Sequence, residues 1–458
     1  MGAIMLKHLI RSLPLLALVA GCSSILDVNP INEFSEDDAI TTPGGARAAR
    51  AGLYDALQDD SYYGGDFVFF GDLSAEDVEH TGTFTTYRQV DQNDLTSDNG
   101  SIEDVWDALY IAIGRANIVL ARVPTVPLLD ADERDQILGE AHFVRALTYH
   151  NLVKLWGEPA GMGVPLVLAP PVDVPSSANV TRASTAEVYA QILQDLTQAE
   201  SLFTIAGDRG EIGSASLGAV RAIRARVLLY MGNYAAAEAE AQAVVGMGYS
   251  LAGNYGDLFT PDDAETGEDI FRLTFDAVDF EYLGYYYLHN DVGGRQEVGP
   301  TDSLEAAYTA GDVRGFWNVT YVDSTDVATR YGSKWQTGIG GEDLHVIRLA
   351  EVLLIQAEAE ARQNKLGEAE GTLTPLRVRA GLAAAGLDTM SQANAISAIL
   401  NERRLELVYE GDRWPDLVRT GLAATRVDLT GKLYQVLYPI PLNERDVTNP
   451  PLPQNPGY

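Results

Sequence analysis

The sequence predicts a mainly α-helical protein that carries two irregular insertions. Apolar residues recur at helical spacing through most of the chain. Two stretches, residues 225–237 and 357–369, place small and aromatic side chains as tetratricopeptide units do, and those units are paired antiparallel helices. Residues 60–100 and 247–342 break this period with Gly, Asp and aromatic residues. We expect a long, partly ordered loop in the first and a short strand in the second, both built into one helical domain over residues 46–458.

The start of the chain predicts a lipoprotein. Residues 1–21 contain a short cationic segment and an apolar run that is too short to span a bilayer, as in a secretory signal peptide. Val19-Ala20-Gly21-Cys22 fits a bacterial lipobox, so Cys22 is the predicted mature N-terminus, with lipid on its thioether and its amine. Residues 22–45 would form the tether and an extended lead-in. The alternative is an ordinary signal peptide with an incidental cysteine.

The helical period also places the individual elements. Ser101 is the expected N-cap of the helix predicted at residues 102–123, which has acidic residues in its first turn. Val346 is expected on the apolar face of the first helix in the second tetratricopeptide-like pair. Residues 270–275 predict a strand, and the proline-rich residues 450–458 predict a terminal coil lying on the domain. Further helices are predicted at residues 47–57, 102–123, 132–156, 185–203, 216–231 and 234–245.

Composition and missing motifs exclude several functions. A net charge of −33 argues against nucleic-acid binding and against electrostatic docking on an anionic membrane. Phosphate-binding loops, Gly-x-Ser-x-Gly elbows and His-Glu-x-x-His motifs are absent from the sequence, so no catalytic motif and no cofactor are predicted. A glycosidase-type carboxylate pair among the 65 acidic residues stays an alternative, although most of these residues are expected to be solvated surface. Residues 91–100 resemble a calcium loop in composition, but Val105 stands where a bidentate Glu is needed. Turn and helix-cap chemistry is favoured there, and no metal site is predicted.

Aromatic residues in the insertions are the candidate ligand-binding groups. Their flat apolar faces can stack on the C–H faces of sugar rings, while neighbouring Asp, Asn and Arg side chains can hydrogen-bond hydroxyl groups. The alternative is that these rings form the cores of the loops, although three consecutive tyrosines cannot all face one way in regular structure. The candidates are Tyr87, Tyr285, Tyr286, Tyr287, Trp317 and Tyr321.

Several sequence blocks, taken together behind the lipobox, resemble the SusD/RagB family of outer-membrane nutrient-binding lipoproteins. The most specific internal block is Glu-Ala-His-Phe-Val-Arg-Ala-Leu at residues 140–147, which runs on to Leu-Trp-Gly at 155–157. Others are Arg-Leu-Ala-Glu-Val-Leu-Leu at 348–354 and Glu-Gly-Asp-Arg-Trp at 410–414. The ending Gln-Asn-Pro-Gly-Tyr at 454–458 completes the match, which covers almost the whole mature chain.

The resemblance implies about eight helices in tetratricopeptide-like pairs, with loops and short strands packed against them. It also implies a non-catalytic, surface-exposed protein that hands oligosaccharides, or peptides in some members, to a SusC-like TonB-dependent transporter. Arg145, Glu402, Arg403 and Arg413 would be structural ion pairs or caps, and no ligand residue can be transferred by motif. Two other hypotheses stay open, a carboxylate-pair glycosidase and a helical-repeat adaptor without a small ligand.

Overall fold

The computed structural model describes residues 40–170, 180–260, 265–276, 278–324, 327–338 and 341–458. The predicted signal peptide, Cys22 and most of the predicted tether lie outside these residues. The largest buried apolar cluster includes residues from Ala46 to Leu452, so the helical scaffold and both insertions contribute to it. Among the described residues, no helix is both long and apolar enough to span a bilayer.

Helices dominate the described chain, as predicted. Nine of them have at least 12 residues, against about eight that were expected. The described helices are α1 (Pro43–Gln58), α2 (Asp66–Leu73), α3 (Thr85–Asp91), α4 (Gly100–Arg122), α5 (Ala131–Trp156), α6 (Thr185–Ala206), α7 (Leu217–Tyr230), α8 (Tyr234–Val245), α9 (Leu283–Tyr287), α10 (Asp302–Ala307), α11 (Arg314–Asn318), α12 (Leu349–Arg362), α13 (Leu366–Arg379), α14 (Gln392–Leu407), α15 (Arg413–Arg419) and α16 (Leu442–Val447).

The long helices pack in a continuous array. Helices α4, α5, α6 and α7 each contact the next helix along the chain, and α1 packs on α4. Helix α8 contacts α12, and α12 in turn contacts α13 and α14. The tetratricopeptide-like stretches correspond to α7–α8 and α12–α13. Their short connections turn through Gly232 and Asn364, both with positive φ. Ala237 and Ala369 are fully buried between the helices, as expected where small residues permit close approach.

The strands are short and join distant parts of the chain. The strand predicted at residues 270–275 is confirmed as β4 (Asp269–Leu273). Val346 lies in β8 (Leu344–Arg348), just before α12, and not on the helix that was predicted to hold it. Among the described residues, the antiparallel pairs are β1 (Val78–His80) with β5 (Val298–Pro300), β2 (Met162–Pro165) with β3 (Arg182–Ser184), β4 (Asp269–Leu273) with β8 (Leu344–Arg348), and β6 (Thr320–Ser324) with β7 (Val327–Tyr331).

The first insertion is more ordered than the predicted loop. It contains α2, α3 and β1, and every residue of α2 after Asp66 is buried, as expected for a helix within a core. Phe69 and Phe70 are fully buried there. At its end, Asn99 rather than the predicted Ser101 caps α4, because its Oδ1 accepts a hydrogen bond of 3.1 Å from the Ile102 amide. Helix-cap chemistry is therefore confirmed in this segment.

The predicted structural ion pairs are confirmed. Arg145 pairs with Asp195 at 2.7 Å, and the Arg403 Nε donates to Asp416 at 2.6 Å. Glu402 contacts Arg314 and Arg377, and Arg413 contacts Glu76. These contacts join separate helices and loops of the protein.

The C-terminal coil lies on the domain, as predicted. Leu452 is buried, and the Asn455 Nδ2 donates hydrogen bonds to the carbonyls of Trp156, at 3.0 Å, and Tyr438, at 2.7 Å. The two bonds give the backbone carbonyls of Trp156 and Tyr438 a hydrogen-bond partner from the C-terminal coil. The end of the chain is thereby fixed to α5.

Candidate ligand-binding site

Two adjoining cavities lie where the first insertion meets the second, and we call them together the trough. One has a volume of about 300 Å³ and the other about 270 Å³, and both are lined by Asp60 and Tyr282. The first is lined by Asp60, Ser61, Asp66, Phe84, Thr86, Tyr87, Ser101, Asp104, Tyr282 and Tyr286. The second is lined by Asp55, Ala56, Gln58, Asp59, Asp60, Ile111, Arg115, Val278, Asp279, Phe280 and Tyr282.

Local backbone contacts position the two sides of the trough. After α1 the chain reverses through Gly64, where any Cβ would overlap the Gln58 carbonyl, and α2 then begins at Asp66. The Gly64 carbonyl accepts a hydrogen bond of 2.8 Å from the Tyr282 amide, which fixes the start of α9 beside this turn. The Glu281 carboxylate accepts from the Gly284 amide at 3.1 Å and so caps α9. The pairing of β1 with β5 holds the same two insertions together.

One wall of the trough is aromatic. The rings of Tyr282 and Tyr286 are nearly parallel, with centroids 5.8 Å apart and an interplanar angle of 27°. Tyr286 packs edge-on against the buried Phe69 at 5.4 Å, and Phe84 packs on Tyr87 at 5.0 Å. These edge-to-face contacts hold the wall in a defined orientation. The wall therefore offers partly exposed tyrosine faces backed by a rigid core.

Several carboxyl groups also line the trough. The Asp66 carboxylate accepts a hydrogen bond of 2.5 Å from the Tyr87 hydroxyl. Burial, reinforced by neighbouring carboxylates, raises the pKa of Asp66 to about 7. Burial and nearby negative charges also raise the pKa of Asp104 and of Asp279. These carboxyl groups can accept hydrogen bonds from hydroxyl groups of a ligand.

The trough includes some of the sequence-predicted residues. Tyr87 and Tyr286 line it, and the Tyr285 ring lies 5.4 Å from that of Tyr286 without lining either cavity. Tyr282, Phe84 and several carboxylates also line the trough, and they are not among the residues predicted from the sequence. Tyr282 lies four residues before Tyr286, a spacing that places both side chains on one face of a helical turn, and this signal could have selected it.

Tyr287, a predicted ligand contact, lies in the core and does not line the trough. Its side chain is fully buried, and its ring packs on Tyr409 with centroids 4.6 Å apart. The helical turn of α9 directs neighbouring tyrosines to different sides, so Tyr286 lines the trough while Tyr287 enters the core.

Trp317 and Tyr321 do not line the trough. Trp317 is partly buried on α11 and packs against a small cluster that includes Tyr255 and Phe259. Tyr321 is 48% exposed on β6, and its hydroxyl contacts Glu305. Phe316 is 72% exposed and packs on Trp317 with centroids 5.7 Å apart, and we refer to Phe316, Trp317 and Tyr321 as the second aromatic surface. Among the described residues, no group of three His, Cys, Asp or Glu side chains could hold a metal ion.

Comparison with known proteins identifies the family. Residues 272–428 match the model of the SusD family, and residues 51–229 match a second model described as starch-binding, associating with outer membrane. The chain belongs to the SusD/RagB family. The resemblance stated from the sequence blocks is thereby confirmed.

Relatives of this SusD-family protein extend over nearly its whole length. SusD-like protein P38 from Formosa agariphila is 27% identical, with 97% of each chain covered. A SusD superfamily protein from Bacteroides vulgatus has a TM-score of 0.79 at 20% identity, covering 93% of this chain and 99% of its own. A laminarin-binding SusD-like protein has a TM-score of 0.76 at 25% identity, covering 91% of this chain and 100% of its own. These similarities confirm the mainly helical, SusD-like fold.

Proposed function

We propose that this SusD-family protein is a lipid-anchored outer-membrane protein that captures oligosaccharides in the trough and passes them to a SusC-like TonB-dependent transporter. The observation that carries the proposal is the pair of nearly parallel rings, Tyr282 and Tyr286, in a cavity that carboxyl groups also line. Ring faces can stack on the apolar faces of a sugar, and the carboxyl groups can accept hydrogen bonds from its hydroxyl groups. The family description and the name of the laminarin-binding relative support a carbohydrate ligand.

The experiment is a calorimetric titration with laminarin oligosaccharides and malto-oligosaccharides, the glycan types named for the relatives. Tyr282→Ala should weaken binding at least tenfold, which corresponds to about 1.4 kcal/mol, because it removes one stacking face. Tyr321→Ala is the matched control, since it removes a more exposed tyrosine ring outside the trough. Unchanged affinity in Tyr282→Ala, with lost affinity in Tyr321→Ala, would place the site on the second aromatic surface instead.

Peptide binding and a pure adaptor role are tested by the same titration. A peptide pool should give no heat of binding, because the trough exposes carboxyl groups and rings but no backbone strand edge among its described lining residues. Absence of binding to every oligosaccharide and peptide at millimolar concentration would favour the adaptor. The expected transporter-contacting surface is the helical-repeat face, and co-purification of a transporter from native membranes tests that part of the proposal.

Glycoside hydrolysis is a second candidate function, supported by Asp66. A carboxyl group that carries a proton near neutral pH can act as a general acid, and Asp60 and Asp104 line the same cavity. We expect binding without hydrolysis. An assay for new reducing ends with laminarin and starch checks this, and sugar release that disappears in Asp66→Asn would establish hydrolysis.

A further inference from the structure

Lys154 is a buried cation without a partner oxygen among the described residues. It lies in the last turn of α5 and is 8% exposed. Its Nζ lies 4.9 Å from the ring centroid of Phe67, and it forms no hydrogen bond or ion pair with another residue that the structure describes. The other described lysines each donate a hydrogen bond to a protein oxygen, namely Lys334, Lys365 and Lys432. Because a fold normally pairs a buried charge, the environment of Lys154 is incomplete.

The carboxylates near Lys154 are held by arginines. Glu351 accepts a hydrogen bond of 2.7 Å from Arg226, and Asp416 accepts one of 2.6 Å from Arg403. Such pairing is the usual way in which a fold accommodates buried charge. Both carboxylates attract Lys154, but neither forms an ion pair with it.

Lys154 is charged at neutral pH. Burial lowers its pKa to about 8, and repulsion by Arg226 acts in the same direction. Attraction by Asp412, Glu351 and Asp416 opposes this shift. A pKa of about 8 leaves most of the amine protonated at pH 7, so the buried ammonium group needs an acceptor.

Lys154 lines a cavity of about 100 Å³ that residues of α5, α6, α7 and α15 form together. Arg419 lines it as well, although its guanidinium also binds Glu358. Tyr230 is a third lining residue, and its buried hydroxyl has no hydrogen-bond partner in the described part of the chain. Thr185 opens α6 at the cavity, where the helix dipole favours negative charge. No carboxylate side chain belongs to the described lining residues, so the polar part of the cavity suits an anion.

The rest of the cavity is apolar and small. Val153, Pro415 and Val418 line it, together with the ring of Tyr189. Its volume of about 100 Å³ corresponds to about three water molecules at ~30 Å³ each. A ligand of a few heavy atoms therefore fits, whereas an oligosaccharide does not.

We propose that this cavity binds a short-chain carboxylate, such as acetate or propionate, whose carboxylate accepts hydrogen bonds from the Lys154 ammonium while its alkyl group packs on Val153, Pro415 and Val418. A charge-assisted hydrogen bond of this kind is stronger than a neutral one, and the Tyr230 hydroxyl supplies a second donor. Water would hydrate the ammonium without supplying the opposite charge. Chloride would supply the charge but would leave the apolar wall without a contact.

The test is a calorimetric titration of the purified protein with sodium propionate at pH 7 and constant ionic strength, with sodium chloride as the second probe. Propionate should bind at one saturable site, at least tenfold more tightly than chloride. Lys154→Met removes the ammonium group and keeps an apolar side chain, so it should weaken propionate binding at least tenfold. Lys365→Met is the matched control, because that side chain lies outside the cavity and is 40% exposed. It should leave the affinity unchanged.

The wild-type protein gives a second measurement that does not depend on the folding of a variant. Propionate affinity should fall at least threefold between pH 7 and pH 9.5, because Lys154 loses its proton over this range. Two neighbouring groups do not titrate there. Burial raises the pKa of Tyr230 and lowers the pKa of His150, so the phenol and the imidazole both stay neutral.

The result that overturns the proposal is defined for each measurement. Absence of saturable propionate binding, or equal affinity for chloride, would exclude the carboxylate site. Affinity that Lys154→Met leaves unchanged, or that Lys365→Met reduces as strongly, would exclude Lys154 as the binding group, and so would equal affinity at pH 7 and pH 9.5. Oligosaccharide binding in the trough is measured separately, and none of these outcomes bears on it.

Discussion

The Tyr87 hydroxyl donates a hydrogen bond of 2.5 Å to the Asp66 carboxylate, and this contact joins α3 to the first residue of α2. Burial raises the pKa of Asp66 to about 7, and neighbouring carboxylates add to the effect. The hydrogen bond from Tyr87 opposes the shift without cancelling it. Asp66 therefore changes its charge near neutral pH, in the cavity where we propose that the ligand binds.

Asp66→Asn should stabilise the protein at pH 8. An ordinary aspartate ionises near pH 3.8 in the unfolded chain, whereas Asp66 in the fold stays protonated up to about pH 7. Between these values the folded state binds more protons, so wild-type stability decreases as pH rises from about 4 to about 7. The asparagine variant lacks this loss. Urea unfolding of the wild type and of Asp66→Asn at pH 4.5 and pH 8 measures the difference in stability between them. Asp388→Asn, which changes an exposed carboxylate outside the trough, is the control. A stability difference that does not grow between these two pH values would contradict the raised pKa of Asp66.

Glu410→Gln should show the opposite pH dependence. Burial alone would raise the pKa of Glu410, but the Arg348 guanidinium and the Lys334 ammonium hold it at about 2. Its contribution to stability is complete above pH 4.5 and is lost as pH falls toward 2. The variant should lose about 3 kcal/mol at pH 7, because it leaves buried cations without their partner. Its stability should also fall less steeply between pH 4.5 and 2.5, as measured by urea unfolding.

Helix periodicity predicts the scaffold well because each long helix buries one face against a neighbour. The bounds of α8 were predicted to the residue, and those of α5 to within one. The sequence predicts a loop for the first insertion because α2 is only eight residues long and is buried all round after Asp66, so it has no helical period to detect. Short, fully buried elements carry no pattern that separates a helix from a strand or a loop.

The trough could be predicted only in part. The sequence indicates that aromatic residues in the two insertions form a site, but it does not say which rings remain accessible. Tyr286 and Tyr287 are adjacent in the chain, yet one lines a cavity and the other packs on Tyr409. That difference depends on how α9 sits against α2 and on the contact with residue 409, more than a hundred residues away. The lining carboxylates were indistinguishable from the many others in an acidic chain.

Two glycines should respond oppositely to alanine. Gly71 in α2 lies against the backbone of Gly411, and a Cβ there would overlap the Gly411 carbonyl. Gly71→Ala should therefore destabilise the protein by about 1–3 kcal/mol, as overpacking does. A Cβ at Gly114, in the middle of α4, would meet nothing within 4 Å. Gly114→Ala should stabilise the protein by about 0.5–1 kcal/mol, because alanine loses less conformational freedom in a helix. Thermal unfolding of both variants checks the pair.

Cys22→Ser should separate membrane anchoring from ligand binding. A single acyl chain holds a protein on a bilayer only weakly, whereas lipid on both the thioether and the amine of one cysteine anchors it stably. Wild-type protein should incorporate a palmitate analogue in cells and fractionate with the outer membrane. Cys22→Ser should do neither, since serine cannot form the thioether, while the purified variant should bind oligosaccharides with unchanged affinity because the trough lies within residues 55–286. Ser24→Ala is the control and should be labelled normally. Labelling of Cys22→Ser would contradict the predicted lipobox.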